Sequence, residues 1–212
     1  PPLDPASVVY VGHSQGGTVG APFLAFEPDV RAGVLSGTGG SLVMSLLGKT
    51  APYDAVSATA AVLQDERPSD HHPVLALLQL YYDPIDALNY AERLFFRPIH
   101  EDLAKSVVIT YGLGDTYTPP DCIEAFASAS RSVLAEPAPK TIGGVNQGTP
   151  PLGPTWWTDP SRRPLTGVIV EAEPAGDDGH FVLFRNAALG AQVRHFLATA
   201  VTQPVPVVPA RP

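Results

Sequence analysis

Ser14, Asp115 and His180 are side chains that could together perform acyl transfer. Ser14 stands in the string Gly12-His13-Ser14-Gln15-Gly16, which matches G-x-S-x-G. A serine hydroxyl is a poor nucleophile unless a base takes its proton, and a histidine base needs a carboxylate to hold its ring. Asp115 and His180 supply both types, in the order serine, acid, histidine. The N–H of the next residue, Gln15, would donate to an oxyanion, aided by the start of a helix.

A short string of this kind counts only in its setting. Residues 7–11 form a β-branched and aromatic run, read as a strand buried on both faces and ending at Gly12. A helix over 18–26 follows, stopped by Pro28, and a second strand covers 30–36. Helices are expected over 41–47, 54–64, 73–82 and 84–94, with Asp83 as N-cap before Pro84 in the first turn of the last. A strand over 106–111, a helix over 121–134, a fourth strand over 166–172 and a helix over 186–201 complete the pattern. Strand, turn, helix, strand is the alternation of a parallel α/β sheet. Asp115 and His180 each follow such a strand, on the same sheet edge as Ser14, where open α/β sheets place their sites. The glycines at 12 and 16 are expected to be there because any side chain would clash in so sharp a turn.

These pieces resemble the α/β-hydrolase superfamily, in its lipase- and esterase-like branch. The resemblance rests on Gly12 to Gly17 (GHSQGG), on Gly112-Leu113-Gly114-Asp115-Thr116-Tyr117-Thr118-Pro119, and on Asp178-Gly179-His180-Phe181. It covers most of residues 5–200. It implies a partial α/β-hydrolase fold with a mainly parallel sheet of about four strands. The core would be 1–40 and 105–202, with a helical cap at 41–104 and a Pro-rich tail at 203–212. It implies that Ser14 is nucleophile, His180 base and then acid, Asp115 the orienting acid, and Gln15 one oxyanion donor. His13 is expected beneath or beside Ser14, with a structural role ahead of a substrate-binding one. Family members carry about four strands before the nucleophile strand, whereas this chain opens near it and without Met. The chain therefore reads as the C-terminal part of a longer member. The second oxyanion donor, and any export signal, would lie ahead of it.

Other readings of the same residues are weaker. A phosphate-binding loop would need a P-loop lysine or G-x-G-x-x-G, and neither is present. Asp121, Asp177 and Asp178 are the alternatives to Asp115, the last two being very near His180 in sequence. His71, His72 and His100 fall in the cap region and His195 in a helix. Asp70-His71-His72 lacks a helical i, i+4 ligand pair, so it reads as a solvated loop and no metal is expected. Trp156 and Trp157 lie in the long Pro- and Gly-rich stretch 136–166, and either line the site mouth or anchor that loop. Cys122 reads as an inert thiol. Residues 74–82 are apolar almost all round, which favours a packed helix over an acyl-chain surface.

Thirteen basic and 21 acidic residues give a formal net charge of −8, which argues against a phosphate-backbone binder. Hydrophobic residues at 44% suffice for a core, and no run approaches the ~20 apolar residues of a membrane span. One cysteine excludes an internal disulfide. The expected function is a serine hydrolase that cleaves small-molecule or lipid carboxylic esters through an acyl-enzyme, without cofactor or nucleic acid. A non-catalytic fragment or interaction module is the alternative from another class. A peptidase or acyltransferase would use the same triad.

Overall fold

The chain opens with strand and helix in alternation. The computed structural model describes Asp4 and residues 7–157, 164–176 and 178–211. Asp177, one of the alternative acids, lies outside them. β1 (Val9–His13) leads through α1 (Gln15–Phe26) to β2 (Ala32–Ser36). Four helices follow: α2 (Leu42–Gly48), α3 (Ala55–Leu63), α4 (Pro73–Tyr82) and the short α5 (Leu88–Ala91). Then come β3 (Ser106–Gly112), α6 (Pro120–Ser130), β4 (Val133–Ala135) and β5 (Gln147–Gly148). A small antiparallel ribbon, β6 (Trp156–Trp157) and β7 (Pro164–Leu165), precedes β8 (Gly167–Ala172), α7 (Val182–Arg185) and α8 (Ala187–Thr202).

The main sheet has six strands in the order β1-β2-β3-β8-β4-β5, every neighbouring pair parallel. β2, β3 and β8 are buried along their whole length, as expected of parallel strands covered on both faces. Val107, Ile109 and Tyr111 pack with Leu24 of α1 and with Ile123 and Phe126 of α6. Val108, with Val168 and Val170 of β8, packs on the other face against Val193 and Phe196 of α8.

Several expectations are corrected. The sheet holds six strands, not about four. β4 was hidden in the helix expected over 121–134; α6 instead stops at Ser130, because Arg131 turns left-handed at φ 59. β5 lies within a stretch that reads as structureless. β1 is not buried on both faces: it pairs only with β2 among the described residues, and Val11 is 49% exposed. The single helix over 84–94 is replaced by a 3₁₀ turn at Asp83–Ile85 and the short α5. Asp83 caps the end of α4 and is already the first residue of that 3₁₀ turn, whose N-cap position falls to Tyr82. Asp86 interrupts the run by turning its buried carboxylate onto the amides of Ser41, Leu42 and Leu88 at 2.9, 3.1 and 2.9 Å. Its neighbours Ala87, Ala91, Leu94 and Phe95 belong to the main core.

The Pro-rich tail packs back onto the domain. Val208 is buried and exchanges backbone hydrogen bonds with Leu152, each 2.8 Å. Thr166 Oγ1 donates to Pro206 O at 2.6 Å, and Gln192 Nε2 to Pro209 O at 2.7 Å. Finally, α4 is not packed all round. It buries Leu75, while Val74, Leu77, Leu80 and Tyr81 are exposed. His72 caps its start, with Nδ1 accepting from Val74 N at 3.2 Å.

Candidate active site

Ser14 sits where β1 becomes α1. Its backbone has φ 57 and ψ −124, a region that costs a non-glycine residue on the order of 1–3 kcal/mol. The turn is fixed by Ser14 N donating to Ser36 O at 2.8 Å, and by Ser14 O accepting from Gly17 N at 2.9 Å and Thr18 N at 3.0 Å. The glycine requirement holds at Gly12 but not at Gly16, and it extends to Gly17. A Cβ on Gly12 would overlap Gly16 O, and one on Gly17 would overlap Thr38 Oγ1, whereas Gly16 faces open space. The amides of Gln15 and Gly16 open α1, where no intrahelical acceptor exists.

Asp115 follows β3, and His180 lies in the 3₁₀ turn Gly179–Phe181 after β8. His180 Nδ1 and Asp115 Oδ2 are 2.9 Å apart, with both residues 2% exposed. Asp115 Oδ1 accepts from Tyr117 N at 2.9 Å and Thr118 N at 2.7 Å, which fixes the carboxylate. Gly37, just past β2, fits this pair closely. Its φ is +54, and a Cβ there would lie 2.9 Å from His180 Nδ1. With Nδ1 engaged, Nε2 is the nitrogen left to serve another group.

Asp178 is not the partner of the His180 ring. It accepts from Thr116 Oγ1 at 2.5 Å and from His180 N at 2.8 Å. Asp121 lies in the first turn of α6. The Tyr117 ring stacks on the His180 ring at 4.6 Å and 9°. His13 lies 4.6 Å from the same ring, and its Nδ1 is 3.1 Å from Ser36 Oγ. Burial and then the neighbouring His180 push the His13 imidazole below its ordinary value. His13 thus packs beside the site, outside the lining of the cavity described next.

That cavity, of about 410 Å³, opens at Ser14 and Gln15. Leu42 and Ser45 of α2, Tyr82 of α4, and Tyr117, Thr118 and Cys122 are among the residues that line it. Burial, reinforced by Asp121, Asp86 and Asp115, pushes the Cys122 thiol up to about 12, so it stays protonated at neutral pH. Trp156 is elsewhere. Its Nε1 donates to Arg131 O at 3.0 Å, and its ring packs on Phe95 and Phe96. The loop enters β8 at its amino end, whereas Ser14, Asp115 and His180 follow carboxyl ends, so Trp156 anchors the loop and does not line the site mouth. The Trp157 side chain lies outside the described residues. Sequence reasoning missed Gly37 and the stacking of Tyr117, and it weighed Asp178 only as an alternative acid to Asp115. Only Asp178 carried a local signal, an aspartate two residues before a turn amide.

Among the described residues no three His, Cys, Asp or Glu side chains gather as metal ligands. His71 and Asp70 form only an exposed pair at 3.6 Å. No helix among the described residues is long and apolar enough to cross a membrane.

No family model and no curated protein matches the chain. Solved structures do. Acetyl xylan esterase 1 from Thermoanaerobacterium sp. JW/SL YS485 superposes with TM-score 0.52 at 18% identity, over 93% of this chain and 47% of the esterase. A puromycin-hydrolyzing peptidase of Mycobacterium tuberculosis superposes with TM-score 0.50 at 16% identity, over 95% of this chain and 23% of the peptidase. The fold is that of the α/β hydrolases. The chain spans about half of the esterase and a quarter of the peptidase.

Proposed function

We propose that the chain carries the catalytic part of a serine hydrolase acting on carboxylic esters. The observation that supports this most is the buried Asp115–His180 pair, held on the same sheet edge as the strained turn of Ser14. In this reading Ser14 is the nucleophile at a nucleophile elbow, His180 the base and Asp115 the acid. Ser14 Oγ gives its proton to His180 Nε2 as it attacks the ester carbonyl. Gln15 N–H stabilises the oxyanion. The tetrahedral intermediate collapses, and the departing alkoxide takes the proton from His180. Water then gives a proton to His180 and attacks the acyl-enzyme. The acid leaves, and Ser14 Oγ recovers its proton. No cofactor enters.

α2, α3 and α4 act as the cap of this site, with α2 and α4 lining the Ser14 cavity. Cavity size and lining favour small polar esters over long acyl chains, because the apolar side chains of α4 mostly face outward. A peptidase or acyltransferase would use the same residues.

One observation favours the second reading, a module without catalysis. Among the described residues the Ser14 hydroxyl makes no hydrogen bond, and His180 is screened by Tyr117 and His13. Resting enzymes also show loose catalytic hydrogen bonds that tighten with substrate. Turnover of para-nitrophenyl acetate by the folded chain, lost in Ser14→Ala, is the result the hydrolase reading expects. Equal rates in both chains would favour the module.

A further inference from the structure

We infer that the Ser14 cavity selects substrates bearing a carboxylate, recognised by Lys49; this rests on the hydrolase reading above. Two residues lining the cavity carry formal charge, Lys49 and Asp86. Asp86 is 2% exposed, and its oxygens are taken by three backbone amides and by Gln79 Nε2 at 2.9 Å. It has little acceptor capacity left for a ligand. Asp115 is committed to His180 and two amides.

Lys49 is different. It makes no ion pair among the described residues of a chain whose net charge is −8. Its ammonium is instead held 5.3 Å from the centroid of the Tyr53 ring, another lining residue. An aromatic face fixes a cation without neutralising it, so the ammonium keeps its capacity for an anion. The walls of the same cavity carry neutral hydrogen-bonding groups: Ser41, Ser45, Tyr53, Tyr82 and Thr118. A polar cavity whose one uncommitted charge is an ammonium fits an ester with a carboxylate on its acyl or its alcohol part. The segment joining α2 to α3, which carries Lys49 and Tyr53, thereby sets specificity.

The test uses two isosteric pairs, each a carboxylate and its neutral carboxamide. On the acyl side they are the para-nitrophenyl monoester of adipic acid and that of its monoamide. On the alcohol side they are meta-carboxyphenyl and meta-carbamoylphenyl acetate. The ratio of kcat/KM within each pair is measured for wild type, Lys49→Met and Lys49→Arg, with fluorophosphonate labelling of Ser14 in every preparation. Wild type should favour the carboxylate in at least one pair. The ratio should fall about tenfold in Lys49→Met and stay within about threefold in Lys49→Arg, as for one charge-assisted contact. Added salt should narrow the gap. Ser14 labelling with wild-type and Lys49→Met ratios alike, or with no ester turned over, overturns the inference alone. Absence of both labelling and turnover overturns the hydrolase reading and the inference with it.

Discussion

Asp178 accepts the Thr116 hydroxyl at 2.5 Å, and the same carboxylate accepts the His180 amide at 2.8 Å. One side chain thereby ties the turn after β3, which carries Asp115, to the turn after β8, which carries His180. The ring-to-carboxylate contact depends on that tie. A displacement near 1 Å can cost an enzyme about a hundredfold in rate. Asp178→Ala should slow Ser14 labelling by about ten- to a hundredfold, and Thr116→Val by less. Thr116→Ser should restore the rate. Wild-type labelling in Asp178→Ala would show that the two turns hold their places without it.

A second prediction concerns Glu171, fully buried on β8. Its Oε2 accepts from Lys140 N at 2.9 Å, and its Oε1 has no partner among the described residues. Burial, ahead of its other neighbours, raises its pKa above the ordinary 4.5. The folded state therefore holds this proton at pH values where the unfolded chain has released it. Stability from the group is complete below pH 4.5 and is lost as pH rises through the raised value. Urea denaturation of wild type and Glu171→Gln across pH should show wild type losing ground to the variant as pH rises from 4.5 toward neutrality. Parallel stability curves would contradict this.

A third prediction separates the glycines of the Ser14 turn. Gly17→Ala forces a methyl into Thr38 Oγ1, whereas Gly16→Ala places it in open space. The first should destabilise by about 1–3 kcal/mol and the second by less than about 0.5 kcal/mol in chemical denaturation. Equal effects would mean that the turn adjusts freely.

A fourth prediction concerns the knot beneath α4. Gln79 Nε2 donates to Asp83 Oδ1 at 2.8 Å and Asp86 Oδ2 at 2.9 Å, and its Oε1 accepts from Val43 N at 3.1 Å. Asp86→Ala strands three amides and should cost about 3 kcal/mol, against about 1 kcal/mol for Gln79→Ala. Denaturation midpoints at unchanged m-value check both.

The four strands β1, β2, β3 and β8 were legible because each is a compact apolar run leading into glycine or a turn. Ser14, Asp115 and His180 were legible through their places after those runs. β4 and β5 were not, because three- and two-residue strands carry no period, and α6 shows no glycine or proline at its end. The buried tail was masked by a proline-rich composition that also describes linkers; its contacts with Leu152, Thr166 and Gln192 are set by tertiary structure. The outward face of α4 was misjudged because periodicity cannot distinguish a helix wrapped by protein from one left bare. Lys49 and Tyr117 were invisible as site residues, since cavity walls are assembled from distant segments.

The most direct test of the central claim is reaction of the folded chain with a fluorophosphonate, read by intact mass and peptide mapping beside Ser14→Ala and His180→Ala. The account predicts a single adduct on Ser14. It should be absent in Ser14→Ala and slowed at least about a hundredfold in His180→Ala, the scale of a lost general base. No adduct on a folded wild-type chain, or an adduct on another serine, would contradict it.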